Sequence, residues 1–254
     1  MRIFFLTLFS LVSGIAYCQQ NLVNTASAIK IHAYTFSNNH RTADTPKSTI
    51  TGITKPFAAR SFIIPATLIT YGFVAVNNHN LRQLDLSTRD NIVAHNPGFK
   101  TSIDDYSQYV PALAVYGLNA AGIKGKNNFL DRTLSYLMAT GGATAAVLSL
   151  KKINGITRPD GSANNSFPSG HTATAFAAAE FLHQEYKDQS AWYSVGGYAI
   201  ATATGIMRMY NDRHFLSDVV CGAGIGMIST KLAYLVYPLI KKKFCKRAPA
   251  TTVI

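Results

Sequence analysis

Three short stretches of this 254-residue chain hold residue types that can handle a phosphoryl group. They are Lys151-x6-Arg158-Pro159, Ser166-Phe167-Pro168-Ser169-Gly170-His171, and Arg208-x5-His214-x3-Asp218. Together they supply three cations, two histidines, one acid and a glycine turn where a helix should begin. A phosphoryl group in transfer carries negative charge on its non-bridging oxygens, and that charge must be held while the leaving-group bond breaks. Lys151, Arg158 and Arg208 suit that task, since a guanidinium fork can grip two oxygens at once. Pro168-Ser169-Gly170 places free backbone N–H groups at a helix start, where the helix dipole favours an anion. Gly170 lets the backbone approach a phosphate closely. Ser169 can cap the helix or donate its hydroxyl to a phosphate oxygen.

His214 and Asp218 stand four residues apart, so on a helix they share a face. Asp218 can accept the Nδ1 proton of His214, set the tautomer and leave Nε2 as the nucleophile. His171 follows the glycine turn directly and is placed to protonate a leaving oxygen, then to activate water against a phosphohistidine. Each stretch alone has an ordinary structural reading as loop punctuation, a helix start or a surface pair. Their combination, in this order and at the ends of apolar runs, points to one site. His32, His40, His79, His95 and His183 lack such company and read as solvated or structural. Asp104-Asp105 reads as a helix-start cap rather than a catalytic pair.

Six apolar runs must position these residues: Ser61–Val76, Tyr106–Ile123, Leu130–Leu150, His171–Tyr186, Ala191–Met207 and Phe215–Ile240. Lys151–Phe167 reads as a polar loop, and residues 77–105 as a polar stretch with turn signals at Asn77-Asn78 and Asn96-Pro97-Gly98. The runs have helical length and almost no β-branched alternation, so the expected fold is all-α, a bundle of about six helices. Several runs fall short of the roughly 20 apolar residues that cross a bilayer. Gly141-Gly142-Ala143 and Gly222-Ala223-Gly224 suit close helix contacts in a membrane or in a tight soluble bundle.

Charged residues make up only 14% of the chain, against about 25% in a typical soluble protein. That shortage fits much surface in lipid or an unusually large buried fraction. The net charge of +12 favours anionic partners. Nucleic acid is not expected among them, because the basic residues are dispersed and no recognition signature is present. The cysteines Cys18, Cys221 and Cys245 form no C-x-x-C pair, so neither a zinc knuckle nor a disulfide framework is expected. Arg2, the apolar stretch Ile3–Val12 and Ala16-Tyr17-Cys18 read as an export signal over residues 1–18, cleaved before Gln19. The expected organisation is then a polar lead-in over 19–60, a helical domain over 61–240 and a basic tail over 241–254.

The three stretches resemble the signature of the type 2 phosphatidic acid phosphatase superfamily, which includes bacterial acid phosphatases and vanadium haloperoxidases. Its pattern is K-x6-R-P, then P-S-G-H, then S-R-x5-H-x3-D, and the likeness covers roughly residues 100–240. The resemblance implies an all-α core, a phosphohistidine intermediate and no metal or other cofactor. It implies phosphate binding by Lys151, Arg158, Ser169, Gly170 and Arg208, acid–base work by His171, nucleophilic attack by His214 and orientation by Asp218. Met207 stands where that family usually has serine, so a hydroxyl from that position is missing. The expected activity is removal of phosphate from a lipid-linked monoester or pyrophosphate in a bacterial envelope. The alternatives are a soluble periplasmic acid phosphatase and a vanadate-dependent haloperoxidase. The basic Lys124–Arg132 turn and the Lys241–Arg247 tail should face the cytoplasm, which puts the site on the exported side. Counting back, Ser61–Val76 would start in the cytoplasm, at odds with a cleaved signal, so it is expected to be non-spanning or re-entrant.

Overall fold

Capping residues and apolar faces divide the chain into eight α-helices, with no strand among the described residues, in a computed structural model that describes residues 59–245. The expected signal over 1–18, nearly all of the lead-in and the end of the tail lie outside them. A 3₁₀ turn, Ala59–Phe62, leads into α1 (Ile63–Asn77). Then come α2 (His79–His95), α3 (Ile103–Ser107), α4 (Val110–Ala120), α5 (Phe129–Asn154), α6 (Gly170–Tyr186), α7 (Ala191–Tyr210) and α8 (Leu216–Cys245). Residues 55–242 form one compact unit, and the description below is of that unit.

The six apolar runs became α1, α4, α5, α6, α7 and α8. The two further helices lie in stretches that periodicity alone did not mark. The polar stretch after α1 is helical because Asn78 caps it, its side chain accepting the N–H groups of Asn80 and Leu81. α5 extends through Lys151 to Asn154 and ends at Gly155, whose φ of 57° is the left-handed conformation of a helix stop. Lys151 therefore sits in the last turn of a helix and not in the loop where the sequence put it.

The core is built around α6, whose alanines Ala175, Ala177, Ala178 and Ala179 are wholly buried. Small side chains let α8 come very close to it. A Cβ on Gly226 would lie 2.2 Å from the carbonyl oxygen of Ala173, and one on Gly222 2.5 Å from that of Ser169. α1 runs antiparallel to α8: a Cβ on Gly72 would meet that of Cys221 at 2.5 Å, and one on Gly224 the carbonyl of Pro65 at 2.7 Å. The end of α1 thus lies beside the beginning of α8. Cys221 is a buried free thiol.

Among the described residues three helices are long and apolar enough to cross a membrane: Ala59–Asn77 with 19 residues, Phe129–Asn154 with 26 and Leu216–Lys243 with 28. The first was expected to be re-entrant or non-spanning, and its continuous helix reaches spanning length. The bundle also has two chemically distinct ends. At one, Lys241 holds Asp131 at 2.8 Å, and the Glu185 carboxylate accepts the Tyr234 hydroxyl at 2.6 Å and the Asn127 N–H at 3.0 Å. At the other end lie the close of α5, the starts of α6 and α8, and the close of α7. All three sequence stretches singled out for chemistry fall there.

Candidate active site

The loop from Gly155 to Ser169 is pinned onto α5 and α8 by the residues of interest themselves. Lys151 Nζ donates to the carbonyl of Asn165, and to that of Ser166 at 3.3 Å. Arg158 Nε donates to Asn165 Oδ1 at 2.8 Å. The Ser166 N–H bonds the Ile156 carbonyl at 2.8 Å, closing the loop. A cis peptide joins Phe167 to Pro168 and turns the chain into α6. Ser169 is the N-cap of that helix, its buried Oγ accepting the Thr172 hydroxyl at 2.9 Å. Gly170 is required neither by backbone angle nor by packing. Its φ is not positive, and an added Cβ would meet only Val147 at 3.7 Å.

Asp218 ties this loop to the start of α8. Its Oδ2 accepts the Ser166 hydroxyl at 2.5 Å and the Phe215 N–H at 2.9 Å, the second being the reach-back of a capping box. Its backbone carbonyl accepts the Ser169 N–H at 3.0 Å. His214 Nδ1 lies 3.4 Å from the same Oδ2, too long for a well-formed hydrogen bond. Both His214 Nδ1 and Asp218 Oδ1 are accordingly buried without a hydrogen-bond partner. A small ring rotation would close this pair, and catalytic hydrogen bonds commonly tighten only when substrate is in place.

Burial, followed by the charges of Lys151 and Arg208, pushes His214 down to about 4 despite the opposing pull of Asp218. The imidazole is therefore neutral through the mildly acidic range, the state a nucleophilic nitrogen requires. Burial and then Arg208 also lower His171 below its ordinary value. Burial, then Arg208 and Arg213, lowers Arg158. These mutual influences bring Lys151, Arg158, Arg208, His171, His214 and Asp218 into one electrostatic neighbourhood. Cations crowded together in a partly buried place repel one another, and an anion among them relieves that repulsion. Arg208 Nε is a buried donor with no protein partner, so it is free to meet such an anion.

Several residues at the site were not singled out by the sequence. Asp104 is wholly buried, its Oδ2 2.5 Å from Arg208 NH1 and its Oδ1 accepting from Asn211 at 3.1 Å. Asp105 Oδ1 is 2.8 Å from His171 Nε2. Both acids lie in the first turn of α3, as a cap reading expects, but their side chains serve the arginine and the histidine. Asp85 of α2 accepts the N–H of Ser217 at 2.9 Å and its hydroxyl at 2.5 Å, fixing the turn that carries His214. Arg82, one turn earlier, lies 4.0 Å over the ring of Phe215. Arg89 grips Asp212 through Nε at 2.8 Å and NH2 at 2.9 Å, holding the α7–α8 turn. The available signal was electrostatic: a chain with only 12 acids places two side by side ahead of a cationic site that needs counter-charge. Among the described residues no three His, Cys, Asp or Glu side chains gather in a way that could hold a metal ion.

The profile of the PAP2 superfamily matches residues 151–242. That segment opens on Lys151 and contains every residue singled out in the three stretches. Over this segment the chain carries the PAP2 superfamily pattern. It is also similar to the lipid A 1-phosphatase of Porphyromonas gingivalis, with 38% identity over 183 residues. That alignment covers 70% of this chain and 38% of the relative, so the chain spans about two fifths of the relative's length. Two solved structures are similar. One is LpxE of Aquifex aeolicus, 22% identical, covering 57% of this chain and 93% of that one, with a TM-score of 0.43. The other is a transmembrane PAP2 type phosphatidylglycerolphosphate phosphatase from Bacillus subtilis, 20% identical, covering 74% and 98%, with a TM-score of 0.47. Asp85, Asp104 and Asp105 precede the PAP2 match, so the site as folded extends beyond the segment that carries the superfamily pattern.

Proposed function

We propose that this chain is a lipid phosphate phosphatase that works through a phosphohistidine on His214 and needs no metal. The observation that carries the reading is a buried imidazole 3.4 Å from Asp218, within the electrostatic reach of Lys151 and Arg208, with a second histidine at the start of the neighbouring helix. In the first step His214 Nε2 attacks phosphorus, and the Asp218 carboxylate stabilises the positive charge that forms on the ring while Nδ1 keeps its proton. The bond from phosphorus to the leaving oxygen breaks, and His171 gives that oxygen a proton. In the second step water attacks the phosphohistidine, His171 takes back a proton, and inorganic phosphate leaves. Lys151, Arg158, Arg208 and the N–H group of Gly170 hold the charge on the transferring oxygens.

A lipid substrate is supported by the three helices of spanning length and by the lipid A 1-phosphatase relative. The site end of the bundle lies opposite the basic turn near Asn127, which agrees with a site on the exported side of a bacterial membrane. The test is phosphate release by purified protein in detergent from diacylglycerol phosphate, lipid A, polyprenyl diphosphate and a soluble aryl phosphate. Release from at least one lipid, undiminished by EDTA and inhibited by vanadate, is expected. Activity lost in EDTA and restored by a divalent metal would overturn the mechanism. Release from the aryl phosphate alone would overturn the lipid assignment.

The two histidines also set a pH dependence. Neutral His214 is the reactive form, so activity is lost as pH falls through about 4. Protonated His171 is the acid form, and its lowered value means that form disappears as pH rises, beginning below the ordinary histidine range near 6.5. A bell-shaped kcat/KM profile with an acidic optimum is expected. A rate that keeps rising to pH 8 would contradict these roles.

A further inference from the structure

The site is unevenly charged along the direction of the reaction. Lys151, Arg158 and Arg208 surround the place of the transferring phosphoryl group. The side of His171 facing α3 carries Asp105, whose carboxylate is 53% exposed and stands 2.8 Å from His171 Nε2 and 3.8 Å from Arg208 NH1. Asp104, next to it, is fully buried and already occupied by Arg208 and Asn211. Asp105 is therefore the acid at this edge that an incoming substrate can meet. The leaving oxygen must lie within hydrogen-bond reach of a His171 ring nitrogen, so the Asp105 carboxylate, 2.8 Å from Nε2, stands no more than about 8 Å from that oxygen whichever nitrogen hands over the proton.

That placement separates two substrate classes. When a phosphate monoester is cleaved, the leaving group is an alcohol or sugar hydroxyl, uncharged once protonated by His171. Its neighbouring hydroxyl or amide N–H groups can donate to Asp105. When a lipid pyrophosphate is cleaved at its terminal phosphorus, the leaving group is itself a phosphate. Its anionic oxygens would be brought beside a carboxylate, where like charges repel. We propose that Asp105 is a specificity-determining residue that selects phosphate monoesters with uncharged, hydrogen-bond-donating leaving groups and disfavours lipid pyrophosphates. This rests on the phosphatase reading above and narrows its substrate.

The test compares two substrates that share one tail, farnesyl monophosphate and farnesyl diphosphate, in the same detergent. The wild-type protein is expected to favour the monophosphate in kcat/KM by about tenfold or more, the size of one close charge repulsion at a partly exposed site. In Asp105→Asn that ratio should fall by about tenfold, and Asp105→Glu should keep it. A uniform loss on both substrates would make Asp105 only a support for the His171 ring and would overturn the proposal. So would a wild-type preference for the diphosphate, which needs no variant to fold. Absence of phosphate release from either substrate and from the whole lipid panel in the wild type would instead bring down the phosphatase reading itself, and the proposal with it.

Discussion

His214→Ala is expected to lower phosphate release by at least ~10⁴-fold while leaving the helical fold and its thermal stability near those of the wild type. The loss is large because His171, the other histidine in this neighbourhood, is engaged with Asp105 and serves as the acid, which leaves no second nucleophile beside Asp218. The fold should persist because His214 lies in the turn before α8, and Asp218 keeps its bonds to Ser166 and Phe215 without it. Circular dichroism and a melting curve check the second half of the expectation, and a single-turnover phosphate assay the first. Trapping of acid-labile radiolabelled phosphate on the wild-type chain, and not on the variant, would identify the intermediate. A variant that keeps more than about a hundredth of the wild-type rate would remove His214 from the nucleophile's role.

Arg208→Ala should have the second largest effect, and it should act on stability as well as rate. Arg208 NH1 neutralises Asp104, which has no exposure to solvent. Removing one partner of a buried ion pair leaves an uncompensated charge and costs about 3–5 kcal/mol. Loss of a guanidinium aimed at the transferring phosphate should lower kcat by about 10²–10³-fold. The two effects separate in a double variant. Arg208→Ala with Asp104→Asn should recover much of the stability, because the neutral amide no longer needs the cation, but none of the rate. Recovery of both would mean that Arg208 serves only to neutralise Asp104. Recovery of neither would mean that Asp104 is not the charge left uncompensated.

What could be read in the linear order was the chemistry carried by short spacing. Lys151 to Arg158, Ser169 to His171 and His214 to Asp218 are local relations, legible from short separation along the chain, although Lys151 closes a helix and His214 stands in the turn ahead of one. The apolar runs were equally legible, because each helix that buries a face must repeat its apolar residues. α2 was not legible. Its residues are mostly polar, and it is held by a cap at Asn78 and by hydrogen bonds of Asp85 and Arg89 with residues more than a hundred positions away. The same distance hid the partners of the catalytic candidates. Asp104 meets Arg208 across 104 positions, and Asp105 meets His171 across 66.

Residue type and local repeat were enough to say which side chains offer phosphoryl-transfer chemistry and that helices would carry them. Where the negative charges stand among the positive ones came from the folded arrangement alone. Coulomb forces depend on separation in space, and folding alone brings Asp104 and Asp105 against a cluster encoded far downstream.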